Sequence, residues 1–134
     1  MRCRTLRLSC LLAWLLTVAL VSGQEGHPLV GSWHGTWGPN AKERNDVTVI
    51  MLWDGKVISG MINPGADAGK LQNASLDPKG WAVHFESELK DGSGKLVHVV
   101  ADGKIENITS LRRGIAGTWT QGSVKGDFKI SRDN

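Results

Sequence analysis

Along most of this chain, apolar and polar residues alternate with a period of two, in short runs broken by turn residues at intervals of about ten positions. The alternation is clearest over 80–89, where Trp81, Val83 and Phe85 fall on one face and Ala82, His84, Glu86 and Glu88 on the other. Val97, Val99 and Ala101 stand in the same way against His98 and Asp102. No helical period competes after residue 30. Eight strands are expected: Gly31 to Trp37, Asp46 to Trp53, Lys56 to Asn63, Lys70 to Leu76, Gly80 to Leu89, Lys95 to Ile105, Arg112 to Thr120, and Val124 to Arg132.

Three short connections make these strands a meander. Asp54-Gly55 suits a two-residue hairpin turn and would pair Trp53 with Lys56 and Met51 with Ile58. Asp77-Pro78-Lys79-Gly80 suits a type I turn, and Asp91-Gly92-Ser93-Gly94 is a third reversal. The expected fold is therefore all-β, an eight-stranded antiparallel up-and-down barrel. One strand breaks the alternation: Val47 to Trp53 is apolar on both faces, so its outer face needs a cover. Self-association through Val47 to Trp53 and Val57 to Ile62 would supply one.

The first residues follow a different pattern. Arg2, Arg4 and Arg7 precede an apolar run from Leu8 to Val21, and Val21-Ser22-Gly23 ends it with compact residues. This is the layout of a cleavable signal helix over residues 1–23, followed by a tether over 24–30 and one barrel domain over 31–134. The expected location is secreted or periplasmic, with no membrane attachment after cleavage. Cleavage changes the composition. Both cysteines and three of the 16 basic residues leave with the signal, so the remaining 111 residues carry no cysteine and balance 13 basic against 13 acidic side chains. A near-neutral domain gives no electrostatic reason to bind nucleic acid or anionic membrane.

Gly31-Ser32-Trp33, Gly35-Thr36-Trp37 and the terminal Arg132 are arranged as in the calycin superfamily, the avidin-like and lipocalin-like small barrels, which the chain resembles in architecture. The resemblance implies a Gly-x-Trp in the first strand closed by an Arg from the last, and Trp37 with Arg132 is assigned that closing role. The avidin-like branch comes nearest, because Gly117-Thr118-Trp119 repeats the Gly-Thr-Trp pattern. The chain departs from that branch in having no tyrosine and no Ser close after Asn40, which argues against biotin.

Tryptophans at 33, 37, 53, 81 and 119 serve either as core or as the wall of a ligand site. Trp53, Trp81, Phe85 and Trp119 are the wall candidates for a small, partly apolar molecule held in the lumen or mouth. A loop over Pro64 to Gly69 stands where related barrels carry a lid. The other reading is a protein-interaction module with a filled lumen, either protease-inhibitor-like or self-assembling. His84 and His98 share an outer face with Glu86, yet neither a metal site nor a catalytic set emerges from spacing, and no cofactor is implied. Phosphate-loop and hydrolase-elbow patterns are absent, so the sequence points away from an enzyme.

Overall fold

The computed structural model describes residues 26–133; the signal segment expected over 1–23 lies outside them. Nine strands follow one another: β1 Gly31–Gly38, β2 Asn45–Trp53, β3 Ile58–Ile62, β4 Gly69–Lys70, β5 Gln72–Asp77, β6 Ala82–Lys90, β7 Leu96–Glu106, β8 Gly114–Gln121 and β9 Val124–Arg132. Successive strands pair antiparallel, except that β4 and β5 are neighbours in sequence without pairing. β1 lies beside β9, so the sheet curls into a nearly closed barrel. The architecture is compatible with a calycin-like barrel.

The count of nine corrects the expected eight. The stretch read as a single fourth strand changes partners midway. β4 pairs with β3 (Met61 opposite Lys70, Ile62 opposite Gly69), whereas β5 pairs with β6. Between them the Leu71 amide donates to the Gly60 carbonyl at 3.0 Å, and the register slips between Gln72 and Ser75. Asn73 takes a left-handed φ of 50° at this bulge. The seam is clasped by Ser87, a fully buried hydroxyl that donates to the Lys70 carbonyl at 2.9 Å.

The β2–β3 turn is also longer than its Asp-Gly sequence predicts. The Asp54 carboxylate accepts from the amides of Lys56 and Val57 at 2.8 and 2.7 Å, so four residues form the connection. Trp53 consequently opposes Ile58 and Met51 opposes Gly60, a shift of two that keeps the same residues of the two strands on a common face. Val47, Val49, Met51, Ile58 and Ile62 are buried inside, while Leu52 and Met61 face outward.

A further difference concerns Trp81, which was expected to open the strand now seen as β6. It sits in the preceding turn with φ of 57°, half-buried against the core, and its carbonyl accepts from the Ile105 amide at 3.0 Å. The turn at Asp91 matches expectation, its carboxylate accepting from the Ser93 and Lys95 amides at 2.9 and 3.0 Å.

Inside, large aromatic side chains alternate with glycine along β1, β8 and β9. Phe85, Trp119 and Phe128 are almost fully buried and meet edge to face, with ring centroids 5.7–6.0 Å apart. Gly117 stands opposite Phe128 on one side and Gly103 on the other. A Cβ on Gly103 would come within 3.1 Å of the Phe128 ring, and one on Gly117 within 2.0 Å of the Asp102 carbonyl. Both Gly-Thr-Trp sequences have this cause: Gly and Trp turn inward, and Thr points out.

At one end, which we call the base, the chain before β1 forms a plug. Leu29 is buried, the Trp33 indole donates to its carbonyl at 2.9 Å, and Arg113 donates to the Pro28 carbonyl at 3.0 Å. Replacing Gly117 with Ala is expected to lower stability by about 1–3 kcal/mol through overpacking; an unchanged thermal midpoint would show that the strands are not this close.

Candidate functional site

The opposite end of the barrel, the mouth, is open. There the end of β1, the start of β2 and the ends of β6 and β8 surround a cleft of about 590 Å³. Its floor is Trp37. One face of this indole stacks on the buried Trp119, centroids 5.6 Å apart and planes 20° from parallel, while Trp37 itself remains half-exposed to the cleft. The walls come from Asn45, Asp46, Asn63, Asp67, Asp91 and Gln121. Asn45 lies directly across the sheet from Trp37. The volume falls in the ordinary range for small-molecule sites.

Both cations at the rim are already engaged. Arg44 donates to Asp127 at 2.8 Å and to the carbonyls of Thr36 and Gly38 at 3.2 and 3.3 Å, which ties the β1–β2 loop to the barrel. Its guanidinium holds the Asp127 carboxyl below the usual carboxylate range. Lys90 donates to Asp67 at 3.0 Å, and this contact draws the loop after β3, the expected lid, against the end of β6.

The four expected wall residues do not form one site. Phe85 and Trp119 are consumed by the core. Trp53 lies at the base, tilted against the His27 ring at 4.4 Å, and borders a second cleft of about 330 Å³ with Val57, Ile58 and Leu76. Trp81 packs beside the core from its turn. Trp37 and Arg132 cannot form the expected closing pair either: Arg132 opposes Trp33, and Phe128 opposes Trp37. Four residues of strand put Trp37 about 13 Å further along the barrel. The aliphatic stem of Arg132 crosses Gly31 at the base instead. Of the six residues singled out, Trp37 alone borders the mouth, together with side chains from turns whose shared location only the sheet topology reveals.

A second cluster lies on the outer face of β6 and β7. His84 contacts Asp102 through Nδ1 at 2.6 Å and Glu86 through Nε2 at 2.9 Å. His98 contacts Glu86 through Nε2 at 2.8 Å and Glu88 through Nδ1 at 2.5 Å. Asn73 donates to Glu86 at 3.2 Å. Carboxylates only accept, so all four contacts are satisfied when both rings are imidazolium. With each ring nitrogen facing a carboxylate, none is left to bind a metal, and among the described residues no group of three or more metal-ligating side chains has a suitable arrangement. The carboxylates raise both histidine pKa values, and the two imidazoles lower Glu86 to about 2.

Comparison with protein-family models, with curated proteins and with solved structures finds no match to this chain.

The histidine network sets a pH dependence. Because folding raises the histidine pKa values, their contribution is complete below the ordinary value of 6.5 and fades as pH rises through the folded values. Glu86 behaves oppositely: its contribution is present above 4.5 and lost as pH falls toward about 2. The thermal midpoint of the native chain should therefore exceed that of a His84→Gln, His98→Gln double variant most clearly between those values, with the gap narrowing on the alkaline side. A gap that stays constant from about pH 6 to about pH 9 would show that the imidazoles are not charged partners.

Proposed function

We propose that the chain is an exported, non-enzymatic member of the calycin-like barrels that binds a small, partly apolar molecule at its open mouth. The observation that carries this reading is Trp37, an aromatic floor in an open cleft of about 590 Å³, backed by a buried partner ring. A side chain held in this way loses little freedom when a ligand arrives, so more of the contact energy appears as affinity. The lumen is a poor alternative, since Phe85, Trp119 and Phe128 occupy it.

One observation favours a second reading, association through the outer face of β2 and β3. Leu52 and Met61 are 55% and 38% exposed there, and Val57 in the adjoining turn is 58% exposed. A concentration-dependent mass in sedimentation, abolished by Leu52→Lys, is the outcome that reading requires.

The first reading is tested on the processed chain, residues 24–134, recovered from a secretory host without denaturation. Native mass spectrometry should show a mass excess that disappears on denaturation and is absent from the Trp37→Ala variant. A bare mass for the native chain, with no small molecule recovered from it, would count against ligand binding. An excess that survives Trp37→Ala would move the site away from the mouth.

A further inference from the structure

We propose that the mouth takes a neutral carbohydrate, with one face of a sugar ring on Trp37 and its hydroxyls on the surrounding amides and carboxylates. This rests on the mouth being the ligand site and names the ligand's chemistry.

The argument turns on which polar atoms are already spent. Gln121 uses its side-chain oxygen to accept from the Trp119 indole at 3.2 Å, and Asn63 uses its own to accept from the Thr48 amide at 3.0 Å. Both partners can only donate, so the orientation of each amide is determined and its NH2 is left for the cleft. Asn45 is the reverse: its NH2 reaches the Trp37 carbonyl at 3.5 Å, which leaves its oxygen as an acceptor. One oxygen of Asp91 takes all of that residue's hydrogen bonds within its turn, and Asp46 adds a second exposed carboxylate to the wall. The cleft therefore presents donors and acceptors interleaved around a flat apolar floor.

Hydroxyl groups satisfy such a ring because each one donates and accepts. The C–H face of a sugar supplies the apolar side that an indole covers. Other ligand classes fit less well. An anion would find Arg44 and Lys90 neutralised by Asp127 and Asp67, with Asp46 and Asp91 adding negative charge. A wholly apolar molecule would strip water from the amides and carboxylates without replacing its hydrogen bonds. An aromatic cation could use Trp37 and the carboxylates but would leave the Gln121 and Asn63 donors unpaired. The cleft is open at the top, so a longer glycan can enter by its end.

The test uses the processed chain and four probes: lactose, maltose, cellobiose and diacetylchitobiose. Tryptophan fluorescence and the side-chain amide signals of Gln121 and Asn63 are followed during titration. At least one probe should saturate, with both amide signals moving. Asn45→Ala should weaken that binding about five- to tenfold, the effect of losing a hydrogen bond. Its side chain is exposed and its single bond is long, so this variant keeps the fold. Trp37→Ala should abolish binding. If none of the four saturates, or if Asn45→Ala changes nothing, the carbohydrate assignment is wrong. Benzyltrimethylammonium then separates the two readings: saturation dependent on Trp37 keeps the mouth as a site for another ligand class, whereas no binding of any probe and no native adduct removes both.

Discussion

A small β-barrel has an interior just wide enough for its own side chains or for one small ligand, and here the side chains have taken it. Phe85, Trp119 and Phe128 form an edge-to-face cluster, with Trp33 below and Trp37 stacked above. Such a cluster needs glycines opposite the rings, which is why Gly103 and Gly117 lie where any larger residue would strike a neighbouring strand or Phe128 itself. Filling the lumen gives the chain a core without disulfides and leaves the last ring of the stack, Trp37, to meet whatever enters the mouth. On the proposed ligand site, stability and recognition would thus share one column of aromatic rings.

Closing the barrel sets the remaining geometry. The segment from Gly69 to Asp77 must serve two neighbours, β3 at one end and β6 at the other, so it breaks at Leu71 and divides into β4 and β5. Its close approach to β6 requires a residue without a side chain: a Cβ on Gly69 would lie 2.4 Å from Leu89 and 2.5 Å from the Ser87 hydroxyl. Where β5 has left β3, their edges diverge and the base cleft beside Trp53 opens.

Much of this was legible along the chain. Alternation identified the inward faces of β6 and β7, and Asp-Gly and Pro-containing turns located the reversals. What could not be read was set by contacts between distant residues. The split fourth strand depends on which partner each half finds. The β2–β3 register depends on a carboxylate capping two amides rather than on the Asp-Gly pair itself. Trp33 and Trp37 carry the same local motif, and only the pairing of β1 with β9 gives Arg132 to the former and the mouth to the latter. The walls of the cleft are ordinary turn residues, Asn45, Asn63 and Gln121, with no spacing that joins them.

The two polar features on this barrel differ in what they can control. The ladder of His84, Glu86, His98 and Glu88 lies on the solvent side, where water screens its charges, so titrating it adjusts stability without deciding whether the chain folds. Removing a ring from the interior would cost about 3–5 kcal/mol, a large share of what holds a domain of this size together. At the mouth the polar groups stand against the aromatic column, and a ligand that covers Trp37 also excludes water from the amides beside it. Each hydrogen bond made there gains strength from the lower local dielectric, and any left unmade becomes a penalty. On the proposed carbohydrate site, selectivity would therefore rest on matching Asn45, Asn63 and Gln121, while Trp37 would supply the contact area.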